Sequence, residues 1–332
     1  MLKKKHAHKE KKESTHLFLF ILGGVALYFL SGWVDELRVY QGASIAVYVI
    51  AISSIILLTG YSGQVSLGHG ALMAVGAYAA AVLRIEYNLP IILCFVASVL
   101  VAAIGGALLG AAAARLSGPY LAGTTLALAV GLPSLANQFT VLGGEQGLLF
   151  DVGFPPLALG EEFTQYKWFF WIAGLAALIS LWTIRNLLNS AYGRAWKAGR
   201  ANEVAAQLAG INTARSKVLA FTISAGIAGL AGALLAMTIG TVSPSAFPLA
   251  LSFAVLTGAV LAGITTLGGV IVGAVVLVII PEIADLIAHK LGSSESVITN
   301  LPGLIVSGLL ILTVLFVPNG PVEQHRARKA KT

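Results

Sequence analysis

Glu282 and Asp285 stand three residues apart inside an apolar run, a spacing that puts both carboxylates on one face of a helix. A pair of this kind can relay a proton through a membrane carrier. Both follow Pro281 about two turns from the end of the run, and at that depth snorkelling to the interface is the cheaper account. Other polar groups fall at membrane depth as well. His69 lies ~10 Å into its run at a rise of 1.5 Å per residue, with Gln64 and Ser66 nearer the mouth. Thr124, Thr125, Asn137 and Gln138 belong to a later run, the last two near its far end. Polar side chains are costly in hydrocarbon, so these residues are the candidates for a translocation pathway. His69 also has a plainer reading, as an imidazole hydrogen-bonded to a neighbouring backbone inside helix packing.

Other chemistry has no motif to stand on. The chain contains no H-E-x-x-H, no G-x-S-x-G and no G-x-G-x-x-G, and its single cysteine, Cys94, sits in an apolar run. A metalloprotease, a serine hydrolase, a dinucleotide enzyme and a cysteine-based metal cluster are therefore not expected. The phosphate loop G-x-x-x-x-G-K-[ST] is also missing, so no cofactor is expected in this chain. Energy for any pumping has to come from another polypeptide or from a gradient.

The elements that must position these residues are membrane spans. The chain has 332 residues, 57% hydrophobic and only 11% charged, against about 25% charged in ordinary soluble domains. A span needs about 20 mostly apolar residues. Runs that meet this or nearly do cover 17–34, 43–59, 65–83, 90–114, 119–139, 168–187, 217–241, 249–266, 268–288 and 298–317. The eighth and ninth are joined only by Leu267, so they read either as one broken helix or as a re-entrant pair. The fold class is thus an all-α integral membrane protein of about ten transmembrane helices.

Lysine and arginine set the orientation, because they stay on the cytoplasmic side. All but four of the 21 fall in the N-terminal tail, at Arg115, between Arg185 and Lys217, or in the C-terminal tail. Ten spans with both termini cytoplasmic put all of these inside and only Arg38, Arg84, Lys167 and Lys290 outside. The organisation read from this is a basic tail at 1–16, a polytopic domain at 17–320 and a second basic tail at 321–332. The basic start followed by Leu17–Leu30 also has the outline of a signal peptide, but no Ala-x-Ala cleavage site follows it. The net charge of +7 follows from the inside rule and anionic lipid, and needs no nucleic acid.

Two connections are long enough to meet a partner. The outer loop, 140–167, carries Glu145, Asp151, Glu161 and Glu162 against Lys167 alone. In the inner loop, 188–216, Asn202 suits a helix N-cap, Glu203 a first turn and Gly210 a C-terminal stop. The expectation is one short cytoplasmic helix with Val204, Ala205 and Leu208 on a single face. Its arginines, lysine and Trp196 suit a helix resting on the bilayer. Its alanines, with Arg200 and Glu203 to fix orientation, suit a docking helix equally well.

Glu203-Val-Ala205-Ala206-Gln-Leu-Ala-Gly210 resembles the E-A-A-x-x-x-G loop by which membrane subunits of bacterial ABC importers engage their ATPases. Further motifs narrow the resemblance to the branched-chain amino-acid importer permeases. They are Gly60-Tyr-Ser-Gly-Gln-Val-Ser-Leu-Gly-His69-Gly-Ala, Gly118-Pro-Tyr-Leu-Ala122 with Thr125-Leu-Ala127, Gly143-Gly144-Glu-Gln-Gly147-Leu, and the run from Arg200 to Asn212 followed by Lys217 and Ala220-Phe221. The likeness spans about residues 40–320. Thr265 and Val270 stand where the family has a glycine and a proline, and the end reads Phe316-Val-Pro-Asn-Gly320-Pro321 in place of F-x-P-x-G-L.

The resemblance implies a subunit of the bacterial plasma (inner) membrane, not itself an enzyme, that passes aliphatic amino acids inward by alternating access. It implies as partners two cytoplasmic ATPase subunits holding ATP and Mg, a second permease chain that is a copy or a paralogue, and an extracytoplasmic substrate-binding protein. Arg200, Asn202, Glu203, Ala205, Ala206 and Gly210 are the residues it assigns to ATPase coupling. A gradient-driven carrier or channel, and the same architecture carrying urea, amides or a sugar, are the alternatives.

Overall fold

The computed structural model describes residues 23–24, 35–116, 118–156, 159–160 and 163–290, and, between 301 and 315, residues 301, 303–305, 307–309, 311, 312 and 315. The expected span 17–34 falls largely outside these residues and 298–317 half outside, while Glu161, Glu162 and both basic tails fall wholly outside. Among the described residues, eight helices are long and apolar enough to cross a membrane. The only strands among them are two residues long. The all-α membrane class is therefore what the chain adopts.

Helix α1 runs over Glu36–Ile55 and continues as a π-helical turn over Ile56–Tyr61. After a non-helical segment at 62–68 come α2 (His69–Tyr87), α3 (Ile91–Ala113) and α4 (Pro119–Ala136). A loop containing strand β1 (Leu148–Leu149) leads to α5 (Gln165–Asn189). The basic connection then folds as α6 (Ala191–Ala201) and α7 (Glu203–Leu208), and α8 (Thr213–Ile239) returns through the membrane. Strand β2 (Thr241–Val242), α9 (Leu249–Ala262) and α10 (Val270–Lys290) complete the described order.

Burial sorts these helices into centre and rim. Inside the protein lies 78% of the most apolar window of α1 and 67% of that of α8, but only 22% of that of α3 and of α4. The central helices meet through small residues. Gly76 of α2 lies against the backbone of Gly229 in α8, and Gly232 against that of Met73, so no Cβ fits at either crossing. Close backbone approach of this kind is the main source of helix affinity in lipid, where apolar burial contributes little. Gly106 and Gly110, spaced for helix contact, do pack on α8, against Phe221 and Val218.

The eighth and ninth expected spans form a hairpin. Gly273 of α10 abuts Gly258 of α9 and Gly269 abuts Ala262, which fixes an antiparallel pair with its tip at Gly263–Thr266. With 14 residues, α9 alone is ~21 Å long at 1.5 Å per residue, and the 3-10 turn Pro244–Ala246 before it extends the candidate span to Pro244–Ala262, 19 residues. The hairpin is tied to α1 at both ends. Its tip meets Gly60 and Tyr61, and at the far end the Gln41 amide donates to Glu282 Oε1 at 2.5 Å.

At the end opposite the basic cluster, β1 and β2 pair antiparallel, Leu148 with Val242 and Leu149 with Thr241. Gly143-Gly144-Glu-Gln-Gly147 makes the turn into β1. Gly147 has φ +74°, donates its N–H to Gly143 O at 3.1 Å, and lies against Val242 and Ser243 with no space for a side chain. Arg84 fastens this loop to α2 by donating to Asp151 O at 3.1 Å.

Candidate functional site

The basic end carries the residues expected to couple to a partner. Sequence reading anticipated one helix between 188 and 216, and the structure has two. The one missed, α6, is capped by Ser190, whose hydroxyl accepts from Tyr192 N–H at 3.2 Å. Its signal was Trp196, read as an interfacial anchor. Trp196 is instead only 2% exposed, packs near Leu57, Leu58, Ile184 and Phe221, and donates its indole N–H to Ser216 O at 2.9 Å. It holds α6 against the protein, where a bilayer-resting helix would turn it to lipid.

In α7 the local signals act as read. Asn202 Oδ1 accepts from Ala205 N–H at 3.0 Å, a helix N-cap. Gly210 takes φ +83° just past the end, while Ile211 N–H reaches back to Ala206 O at 3.0 Å. Glu203 is paired with Lys217 of α8, Oε1 lying 2.7 Å from Nζ. That hydrogen bond holds the Glu203 carboxyl below its ordinary range, against a smaller opposing effect of burial. With Ala206 buried, α7 turns Val204 (65% exposed), Ala205 and Leu208 (86% exposed) away from the protein. A capped two-turn helix, braced from behind and apolar in front, can seat in a groove of another protein.

Arg200 differs from its neighbours. Its guanidinium turns back to the membrane domain and donates to the carbonyl of Gly60 in the π-turn of α1. Gly63, at φ +75°, lies against the stem of the same side chain. The coupling residues named from sequence therefore divide: Asn202, Ala206 and Gly210 shape α7, Glu203 braces it, Ala205 faces outward and Arg200 faces the membrane.

The polar residues at depth form two groups. Gln64, Ser66, His69 and Thr125 are buried where the non-helical segment 62–68 enters α2. Sequence reading put the third span from residue 65, yet 65–68 are not helical. Backbone freed in this way is tolerated at depth only inside protein or beside water. Here hydroxyls from other helices satisfy part of it: Leu67 N–H donates to Thr125 Oγ1 at 3.0 Å and Gly70 N–H to Ser252 Oγ at 2.9 Å. His69 Nε2 lies 2.6 Å from Ser54 Oγ, and Ser54 O accepts from Ser224 at 2.8 Å. The imidazole is thus packed between helices, bonded to a hydroxyl where backbone was expected. Its Nδ1, Ser66 Oγ and Gln64 Oε1 are buried without a hydrogen-bond partner among the described residues.

The second group is on the outer face of α4. Leu121, Thr125, Ala129 and Ala136 turn inward, and Tyr120, Gly123, Thr124, Ala127, Val130, Ser134 and Leu135 are exposed, with Gly131 half-buried among them, a stripe of mostly small residues directed away from the other helices. Asn137 is exposed beside its end. Thr124 and Ser134 bond back to Tyr120 O and Val130 O within the helix. No group of three or more His, Cys, Asp or Glu that could hold a metal ion occurs among the described residues.

The family model described as "Branched-chain amino acid transport system / permease component" matches residues 40–315. The chain is 33% identical over 303 residues to the high-affinity branched-chain amino acid transport system permease protein LivM of Escherichia coli, covering 84% of this chain and 68% of that protein. LivM of Salmonella typhimurium gives the same identity and coverage. The permease LivH of Escherichia coli is 30% identical over 200 residues, 60% of this chain and 58% of that protein. No solved structure matches the chain.

Proposed function

Because the chain belongs to the branched-chain amino acid transport permease family, we propose that it is the transmembrane permease subunit of an ATP-driven importer in the bacterial inner membrane. Its cargo is amino acids, branched-chain or other aliphatic ones. The observation that carries this reading is α7: a capped helix outside the membrane helices, braced by the Glu203–Lys217 pair, with Val204, Ala205 and Leu208 presented outward. Two cytoplasmic ATPase subunits, which bind the ATP and Mg that this chain has no motif to hold, receive that face. A soluble binding protein delivers substrate at the β1–β2 end.

A second permease chain completes the pore. Its place is the stripe on α4, where glycine, alanine and hydroxyl side chains stand in positions that lipid contact would fill with larger apolar ones. Thr124 and Asn137 then border the pathway, while Gln64, Ser66, His69 and Thr125 form its buried wall at the start of α2. Movement of α7 as the ATPases close re-orients the permease pair and exposes the path to each side in turn. Glu282, bonded to Gln41, serves as a link between α1 and α10 in this reading.

Purification from native membranes in mild detergent tests the proposal. ATPase subunits in near-stoichiometric amount and vanadate-sensitive hydrolysis are expected. A chain recovered alone, inert toward ATP and moving solute down a gradient in liposomes, sinks it.

A further inference from the structure

Among its contacts with the membrane helices, the basic end meets the π-turn of α1. The π-turn of α1 is followed at once by the non-helical segment 62–68, which ends at His69 among Ser54, Thr125 and Ser252. Three contacts converge on this turn from outside. Arg200, two residues before the N-cap of α7, donates to Gly60 O. Lys197, one turn earlier on α6, holds its ammonium 5.2 Å from the centre of the Tyr61 ring. Gly63 rests on the Arg200 stem in a left-handed conformation, and a Cβ there would come within 2.8 Å of Arg200 Cγ. From the other side the tip of the α9–α10 hairpin closes on the same turn. Gly60 lies against Ile264 O, and the Tyr61 hydroxyl donates to Thr265 O at 2.8 Å.

We infer that Arg200 and Tyr61 are the positioning residues that carry movement of α7 to the non-helical segment 62–68 and the hairpin tip. The inference rests on the importer reading above and assigns Arg200 to transmission, where the sequence suggested ATPase contact. A π-turn suits the role, because i→i+5 bonding leaves a wide turn of a kind found frequently at functional sites. Arg200 fits it as well. Its guanidinium makes a charge-assisted bond to a backbone carbonyl, and Trp196 of the same helix is buried with Leu57 and Leu58 of the turn, so a displacement of α6 is felt there directly. A second route from α7 runs through Glu203 and Lys217 into α8, a continuous helix with no break in it. Of the two, only the Arg200 route reaches segments without helical hydrogen bonds, which can change shape at low cost.

The test uses the complete complex, with ATPases and binding protein, in proteoliposomes, and measures radiolabelled leucine uptake and ATP hydrolysis in the same vesicles. Arg200→Ala is expected to keep its ATPase subunits and its hydrolysis rate while uptake per ATP falls about tenfold, the scale of one charge-assisted hydrogen bond. Arg200→Lys, which retains a cation able to reach one carbonyl, is expected to restore most of that ratio. Tyr61→Phe removes one oxygen atom and leaves the ring in place, so it keeps the test decisive even if Arg200→Ala fails to accumulate; a fall of about threefold is expected. Wild-type ratios in Arg200→Ala and Tyr61→Phe overturn the inference, and so does loss of the ATPase subunits from Arg200→Ala, which returns that residue to the docking surface. A wild-type complex that moves no leucine with ATP overturns the importer reading and this link with it, and is recognised before any variant is read.

Discussion

Helices α3 and α4 are neighbours in the chain, equally shallow in the protein, and different in what they turn outward. On α3 the outward residues are Ile92, Val96, Leu100, Ile104 and Leu108, one per turn and all large and apolar. On α4 the exposed residues are Tyr120, Gly123, Thr124, Ala127, Val130, Ser134 and Leu135, with Gly131 half-buried among them, so only Val130 and Leu135 are large aliphatics. Equal exposure therefore does not mean equal surroundings. Branched aliphatic side chains are what acyl chains solvate best, whereas glycine and alanine there forfeit dispersion contacts that a helix or a substrate can supply. The back-bonded hydroxyls of Thr124 and Ser134 are tolerable in lipid, so the case for α4 rests on the stripe taken together.

The largest effect expected from this contrast is on a charge placed outward at membrane depth. Leu100 and Ala127 lie at the middles of their helices, where arginine facing lipid costs about 3 kcal/mol on insertion scales. Leu100→Arg should cut the amount of chain in the membrane steeply, and Ala127→Arg much less, as quantified by immunoblot of washed membranes. Equal losses would mean that both faces meet lipid.

A smaller difference is expected in reactivity. Cys94 is the only cysteine and is buried, so the background is low. With a membrane-impermeant maleimide, Ala127→Cys and Ser134→Cys should label about tenfold faster than Leu100→Cys and Ile104→Cys, since the thiolate that reacts forms only where water reaches it. Labelling that does not distinguish the helices would remove water, and with it the pathway, from α4.

The sequence made the helices of this contrast legible and left the contrast itself hidden. Long apolar runs announce spans in any environment, so the limits for α3, α5 and α8 came within a few residues of those observed. In α7 the caps Asn202 and Gly210 acted locally and were readable too. What failed depends on contacts far along the chain. Helix α1 begins at Glu36, seven residues before the apolar run, because Gln41 finds Glu282 across 241 residues. Segment 62–68 is non-helical although part of it is apolar, because Thr125 offers a hydroxyl to the Leu67 N–H that a helix would otherwise satisfy, and Ser252 one to Gly70 in the first turn that follows. Helix α6 was missed because Trp196 suits the bilayer as well as a protein core, and only packing decides. The candidate site was legible as residue types and not as directions: Arg200 and Ala205 lie in one motif and face opposite ways.

The last and smallest expected effect comes from a pair of glycines. A Cβ built on Gly105 of α3 or on Gly131 of α4 meets nothing within 4 Å, so the chain itself has room for a larger residue at both. Leucine also favours helix over glycine by somewhat under about 1 kcal/mol, so neither substitution should lower the stability of the subunit. Any loss of transport must then come from what lies outside the chain. Gly105→Leu adds one more aliphatic group beside Ile104 and should leave leucine uptake unchanged. Gly131→Leu places four carbons on the stripe where a second permease or a passing substrate needs space. Overpacking a close helix contact costs about 1–3 kcal/mol, and uptake should fall about threefold to tenfold while the chain remains in the membrane at normal abundance. Reversing the pattern, with Gly105→Leu impaired and Gly131→Leu normal, would exchange the roles of the two helices and put the partner on α3.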